Sequence, residues 1–250
     1  ARDFLQENME LIKAITWTDP DIIACDMHPD YFSSRLAQES QAGKKCRVQH
    51  HHAHIVSGMA ENGLREKVIG LAMDGTGYGE DGRVWGGEVL VADRADYQRT
   101  GHINYFRLPG GEQAVKNPWR TAASLLNQGF GEDWKEIARE LDILPKSVNR
   151  KDFERILNSE RMSQQTSSCG RLFDAVAVLL GCSSQVHFEG QAAMELEALA
   201  MEGDSEALLP YGLVKEDMFR IDFIPAIREI VGKRRAGSSV AELASMFHPT

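Results

Sequence analysis

The chain has 250 residues, of which 42% are hydrophobic and 26% charged, an ordinary composition for a globular protein with one large core or two smaller ones. Its net charge of -9 gives no general attraction to phosphate backbones, so we expect no nucleic-acid partner. No apolar stretch approaches the roughly 20 residues that a membrane-spanning helix needs, so we expect no membrane partner either.

The four cysteines are Cys25, Cys46, Cys169 and Cys182, and they form no Cys-x-x-Cys pair. This spacing disfavours both a zinc ribbon and a disulfide framework. Free cysteines suit a reducing compartment, so we expect a cytoplasmic protein.

Helices and strands alternate over the first 64 residues. Apolar residues recur at helical spacing over residues 2–16, and Thr18, Asp19 and Pro20 then end the helix. Residues 21–26 have the short, apolar, β-branched character of a buried strand, and polar residues follow its carboxyl end, where ligands bind in open α/β sheets. Further elements are predicted as a helix at 31–41, a strand at 46–49 and a helix at 51–62.

The pattern changes after residue 67, where three strands are predicted at 68–74, 83–92 and 97–106. The stretch DGTGYGEDG, residues 74–82, separates the first two strands and is predicted to be a glycine-rich turn. The rest of the chain is mainly helical, with helices predicted at 118–127, 133–141, 151–158, 171–180, 191–201, 223–235 and 240–247. This order is typical of half of a two-lobed nucleotide-binding fold.

The stretch VQHHHAH contains a candidate metal site. His50 and His54 are four residues apart, so on a helix they share one face and can chelate one divalent metal. His51 and His52 are expected to point away from that face, with at most a supporting or proton-carrying role. A third ligand is needed, and Asp26, Asp74 and Glu88 are candidates because each lies near a strand end. The alternative is a helix start at which the histidines only form hydrogen bonds.

Two other stretches are candidates for nucleotide binding. The glycines of residues 74–82 would let backbone N–H groups converge on an anion, although many hairpins carry glycines for conformational reasons alone. Residues 188–191 open a helix whose amino end can hold an anion. Asp174 lies on a mostly apolar helix, where it either binds nucleotide or metal or caps another element.

Six strings occur in the same order and with matching gaps in one known family. They are ACDMHPDY, VQHHHAH, DGTGYGEDGRVWGGE, LPGGEQAVKNPWR, SSCGRLFDAVAVLLG and FEGQAAMELE. Through them the chain resembles the HypF carbamoyltransferases of nickel-iron hydrogenase maturation. The resemblance implies an α/β fold of the actin-like ATPase type, shared with sugar kinases, heat-shock ATPases and ribonuclease H. Residues 1–64 would form part of the first lobe and residues 65–250 most of the second, with the fold incomplete at both ends.

The resemblance also implies an activity. Family members pass a carbamoyl group from carbamoyl-adenylate, made from carbamoyl phosphate and ATP, to the C-terminal cysteine of the partner HypE. The implied metal, which is Fe, Zn or Mg, would be held by His50, His54 and Asp74.

The resemblance and the residue patterns together predict the roles of the site residues. Asp74 and His51 would act in catalysis. The nucleotide would contact the residues Gly75, Thr76, Gly77, Asp174 and Gly190.

Three other functions stay open. Threonylcarbamoyl transferases share the His-x-x-x-His pattern, and antibiotic O-carbamoyltransferases share the architecture, but the long DGTGYGEDGRVWGGE and ACDMHPDY strings favour HypF. A non-catalytic actin-like binding module is the alternative from another class.

Overall fold

The computed structural model describes residues 2–250, and its first part is built around two parallel strands. The elements are α1 (Arg2–Thr16), β1 (Ile22–Asp26), α2 (Phe32–Glu39), β2 (Lys44–Val48) and α3 (His50–Glu61). β1 pairs with β2 in parallel from Ile22 opposite Lys44 to Asp26 opposite Val48. Both strands therefore end at the same edge, which places Asp26 beside the start of α3.

The second part contains a seven-stranded mixed sheet. The predicted meander is present as β3 (Val68–Tyr78), β4 (Val84–Ala92) and β5 (Tyr97–Ile103), with antiparallel pairing. Four short strands complete the sheet, namely β6 (Phe106–Pro109), β7 (Ser163–Thr166), β8 (Gly212–Val214) and β9 (Phe219–Asp222). The prediction of one strand at 97–106 was wrong, because these residues are divided between β5 and the start of β6.

Eight helices within residues 2–250 accompany this sheet. They are α4 (Glu112–Lys116), α5 (Trp119–Phe130), α6 (Trp134–Glu140), α7 (Arg150–Asn158), α8 (Cys169–Leu179), α9 (Gln191–Ala200), α10 (Ile224–Arg235) and α11 (Val240–Phe247). The core lies among them, where Leu126, Val176, Leu179 and Ile227 have no exposed surface. Full burial of each such aliphatic side chain contributes about 1.5–3 kcal/mol. This helical core supports the sheet on which the candidate site is built.

Helix α1 contributes little to this core. Leu11, Ile12, Ile15 and Trp17 are all more than half exposed, and Trp17 is 93% exposed. None of the helices in the described residues combines the length and the apolar character that crossing a bilayer requires.

Candidate functional site

The candidate metal ligands are brought together by the start of α3. Gln49 caps this helix, because its side-chain oxygen accepts a hydrogen bond from the His52 backbone N–H at 3.0 Å. His50 and His54 then lie one turn apart on one face, with ring centroids 4.8 Å apart. The two imidazoles therefore lie on the same face of α3, as their spacing requires, and their role as metal ligands stays a prediction.

Asp74 completes a group of three. Its Oδ2 lies 3.1 Å from His50 Nε2 and 3.6 Å from His54 Nε2, and the two imidazole nitrogens are 3.2 Å apart. Ligands bound to zinc at about 2.0–2.2 Å in a tetrahedron are roughly 3.4 Å apart. The three atoms therefore have the spacing of a metal site, and the buried Asp74 Oδ2 has no hydrogen-bond partner among the described residues.

Asp26 contacts the same group through the other ring nitrogen of His50. Its Oδ2 accepts a hydrogen bond from His50 Nδ1 at 2.7 Å. The Nδ1 proton leaves the His50 Nε2 lone pair free, which is the arrangement that orients imidazole ligands in many metal sites. Of the three carboxylates that the sequence offers, Asp74 joins the histidines and Asp26 orients one of them.

Glu88, the third candidate carboxylate, is not part of the group. It is completely buried, forms an ion pair with Arg99 at 2.6 Å and accepts a hydrogen bond from the Ser167 hydroxyl. Arg99 also stacks over the Trp85 ring, with 3.9 Å between the guanidinium carbon and the ring centroid. Glu88 therefore stabilises the sheet beneath the site.

The two remaining histidines of the stretch behave differently from each other. The His52 Nε2 bonds to the Asp93 carbonyl oxygen at 2.8 Å, away from the group as predicted. The predicted direction of His51 was wrong, since its Nε2 lies 3.8 Å from Asp74 Oδ2, whereas its supporting role stays a prediction. Burial lowers the His51 pKa to about 4, against the opposing effect of Glu88 and Asp74, so its ring is neutral at pH 7.

A bulge in β3 explains why Asp74 reaches the histidines. Met73 pairs with Gly87 and Gly77 pairs with Trp85, so three residues of β3 stand opposite the single residue Gly86. Bulges of this kind redirect side chains and are common beside active sites. The bulge turns residues 74–76 towards α3 and α8.

The glycine-rich turn predicted at 74–82 is therefore shorter than expected. Strand β3 continues to Tyr78, and the tight turn begins at Gly79, whose N–H donates to the Arg83 carbonyl oxygen at 2.9 Å. Gly77 permits close packing, because an ideal Cβ there would lie 2.4 Å from His51 Cε1. The glycines at 75 and 77 thus belong to a bulged strand.

Helix α8 holds the bulge in place. Its N-cap residue Ser168 accepts a hydrogen bond from the Arg171 N–H at 3.1 Å and donates one to the Gly75 carbonyl oxygen at 2.7 Å. A Cβ at Gly170 would lie 2.9 Å from the Gly75 Cα, so only glycine allows this approach. The amino end of α8 is thereby fixed against the segment that carries Asp74.

Four of the five predicted nucleotide contacts surround one cavity of about 480 Å³. Gly75, Thr76, Asp174 and Gly190 line it. Gly190 has the left-handed φ of 77° at the amino end of α9. The fifth residue, Gly77, lines a neighbouring cleft of about 490 Å³ that shares Thr76 with this cavity.

Comparison with known proteins assigns the chain to a family. Residues 70–250 match the family model described as the Carbamoyltransferase, Kae1-like Domain, second subdomain, and residues 1–61 match the HypF Kae1-like domain. The chain belongs to the HypF carbamoyltransferase family.

Individual HypF proteins agree with this assignment. The carbamoyltransferase HypF of Synechocystis sp. is 41% identical over 92% of this chain and 31% of its own length, and that of Rhizobium leguminosarum bv. viciae is 34% identical over 99% and 31%. A full-length HypF crystallised in its phosphate- and nucleotide-bound form superposes with a TM-score of 0.88 at 40% identity, covering 99% of this chain and 38% of that one. The predicted fold class is confirmed, and the chain spans about a third of the length of these HypF relatives.

Two cationic residues that line the cavity of about 480 Å³ were not predicted as site residues from the sequence. Lys116 and Arg171 both line it, and Arg171 pairs with Asp174 at 3.1 Å. Burial raises the pKa of Asp174, and Arg171 opposes this rise. The i, i+3 spacing of Arg171 and Asp174 on one helix was the available signal.

No cysteine of the described residues belongs to the group formed by His50, His54 and Asp74. All four are free, and burial raises the pKa of Cys169 to about 11. The thiol of Cys169 is therefore protonated and weakly nucleophilic at neutral pH.

Proposed function

We propose that this chain supplies a metal and nucleotide site for carbamoyl transfer within a longer HypF protein. The observation that carries the proposal is the grouping of His50, His54 and Asp74 next to a cavity that begins at the following residue, Gly75. The division into a first lobe at 1–64 and a second at 65–250 stays a prediction.

The proposed carbamoyl donor is carbamoyl-adenylate, made from carbamoyl phosphate and ATP. A volume of about 480 Å³ falls within the roughly 300–1,000 Å³ typical of small-molecule sites. The cavity lining contains two cations, Lys116 and Arg171, and two carboxyl residues, Asp174 and Glu189. The two cations are the groups suited to a phosphate, and a HypF relative was crystallised with phosphate and nucleotide. Thr76, Asp174 and Gly190 would contact the rest of the nucleotide.

The proposed acceptor is the C-terminal cysteine of HypE, in the cytoplasm. Its thiolate sulfur attacks the carbamoyl carbon, the bond from that carbon to the phosphate oxygen breaks, and AMP leaves with the electron pair. The thiol proton passes to solvent before attack. Because the acceptor supplies the nucleophile, none of the four cysteines in this chain is required for the reaction.

The proposed metal is divalent Fe, Zn or Mg, held by His50, His54 and Asp74. When bound, it would stabilise negative charge on the phosphate and on the carbonyl oxygen. Asp26 keeps the His50 Nε2 lone pair available, and Asp74 acts as ligand. The catalytic role of His51 stays a prediction, and its complete burial favours an effect exerted through Asp74 rather than on the substrate.

The proposal is tested in the full-length protein with carbamoyl phosphate, ATP and HypE. We expect His50→Ala and His54→Ala each to lose bound metal and to lower carbamoylation of HypE by more than about 100-fold. Loss of a ligand should have a larger effect than the roughly 10–100-fold loss seen when a residue that hydrogen-bonds to a ligand is replaced. His248→Ala removes an exposed histidine and is the matched control. Absence of transfer in the unaltered full-length protein would contradict the assignment.

Calorimetry separates the proposal from a non-catalytic binding module. We expect the full-length protein to bind ATP and Arg171→Met to weaken that binding, because the guanidinium lines the cavity. If the full-length protein binds neither ATP nor carbamoyl-adenylate, the non-catalytic alternative is correct.

A further inference from the structure

The amide of Gln49 lies at the junction of three groups. Its Oε1 accepts from the His52 backbone N–H at 3.0 Å. Its Nε2 lies 3.2 Å from the Tyr78 carbonyl oxygen and 3.2 Å from His51 Nδ1. Only 3% of the residue is exposed, so these protein groups determine how the amide is oriented.

The two backbone partners leave one orientation. If the amide were flipped, its NH₂ would face the N–H of His52 and its oxygen would face the carbonyl oxygen of Tyr78, which places donor against donor and acceptor against acceptor. Buried polar groups that lack hydrogen-bond partners destabilise the folded state. The Gln49 NH₂ group therefore donates one proton to Tyr78 and the other to His51 Nδ1.

This donation determines the tautomer of His51. A ring nitrogen that accepts a hydrogen bond carries no proton, so the proton of the neutral ring is on Nε2. His51 Nε2 lies 3.8 Å from Asp74 Oδ2 and has no hydrogen-bond partner among the described residues. The ring has no exposed surface, so this N–H does not face solvent, and the Asp74 carboxylate lies just beyond hydrogen-bond distance of it.

The neighbouring histidine has the opposite arrangement. Asp26 accepts the Nδ1 proton of His50, so in the neutral His50 ring the lone pair that can bind a metal is on Nε2. A protonated Nε2 on His51 cannot bind a metal. The two adjacent imidazoles therefore have different capacities because their Nδ1 atoms have partners of opposite hydrogen-bonding type.

We propose that Gln49 is a positioning residue that holds His51 as the Nε2–H tautomer, so that His51 orients Asp74 and is kept out of the metal ligand set. The part of this proposal that concerns the metal depends on the proposed function. The tautomer itself does not, and it can be measured whether or not carbamoyl transfer occurs.

The first measurement is the tautomer in the unaltered full chain without metal. Long-range proton–nitrogen NMR spectra of protein labelled with nitrogen-15 histidine distinguish protonated from unprotonated ring nitrogens, and a His51→Gln variant identifies the signals. We expect His51 to be protonated on Nε2 and His50 on Nδ1. A His51 ring protonated on Nδ1 overturns the proposal.

The second measurement uses Gln49→Glu, which replaces the donor with an acceptor of nearly the same shape. We expect the His51 proton to move to Nδ1 and Zn²⁺ affinity to fall by about 10-fold or more. A loss of this size is typical when a residue that supports metal ligands is replaced. Asn149→Asp is the matched control, because Asn149 caps α7 in the same way but far from the site along the chain. Its His51 tautomer and Zn²⁺ affinity should not change.

Two outcomes of this comparison overturn the proposal. An unchanged His51 tautomer in Gln49→Glu shows that Gln49 does not set it, and equal or tighter Zn²⁺ binding shows that Gln49 does not support the metal ligands. If the variant does not fold, the spectrum of the unaltered chain still decides the tautomer. Failure of HypE carbamoylation, by contrast, concerns only the proposed function.

Discussion

Substituting Gly77 with alanine probes the contact between β3 and the histidines of α3. An ideal Cβ at this position lies 2.4 Å from Cε1 and 3.0 Å from Nε2 of His51, and 3.1 Å from Cδ2 of His50. Carbon atoms in contact are best separated by roughly 3.5–4.0 Å, so the His51 ring must move by about 1 Å. This ring is fully buried and bonded to Gln49, which leaves it little room to move.

We expect Gly77→Ala to lower the free energy of unfolding by about 1–3 kcal/mol, the usual cost of overpacking a well-packed site. Displacement of both rings should also weaken Zn²⁺ binding. Urea unfolding without metal measures the first effect, and Zn²⁺ titration of the folded protein measures the second.

Gly58→Ala is the matched control, because it lies in α3 and no atom is within 4 Å of its added Cβ. It should leave Zn²⁺ binding unchanged and stabilise the helix by roughly 0.5–1 kcal/mol. A Gly77→Ala protein that is as stable as the unaltered chain and binds Zn²⁺ equally well would refute the packing argument.

Three further predictions concern residues around the site. Arg99→Met removes the partner of the completely buried Glu88 and should cost about 3–5 kcal/mol in urea unfolding, whereas Lys135→Met, which breaks a surface pair, should leave the unfolding midpoint nearly unchanged. Ser168→Ala removes the α8 cap and should cost about 0.5–2 kcal/mol by the same measurement, and a neutral result would count against its role in holding the bulge. Burial raises the pKa of Cys169 from 9.0 to about 11, so its alkylation by iodoacetamide in the folded protein should increase mainly between these pH values. The folded state keeps a proton there that the unfolded state loses, so stability should fall as pH rises through this window, and fast labelling at pH 8 would contradict the shift.

The sequence is sufficient to predict the long elements, because their periodicity extends over many residues. Helix α8 and strand β4 begin and end within a few residues of their predicted positions. The strands β6 to β9 have only three or four residues each and are too short to show a period of two. Their place in the sheet depends on partners that are distant in sequence.

The site was predictable where it depends on spacing within one element. The separation of His50 and His54 fixes their shared face, but it does not determine which of three carboxylates completes the group. The choice of carboxylate depends on the bulge in β3. The sequence did not predict this bulge, because glycines such as Gly75 and Gly77 are also typical of turns. The position of His51 was missed for the same reason, since Asp74 approaches α3 from the bulged strand.

The link from Asp26 to His50 has a consequence for the stability of the first third of the chain. Asp26, His50 and Asp74 lie on three different elements, so a metal bound by His50 and Asp74 would close the chain loop between them, next to the loop that the Asp26–His50 hydrogen bond already closes. At a free metal concentration 100 times its dissociation constant, binding adds about 2.7 kcal/mol. This stabilisation would act on the segment from Asp26 to Asp74, while the helical core formed by α5, α8 and α10 is already buried without it. Metal loading would therefore slow hydrogen exchange in residues 22–78 far more than in the rest of the protein.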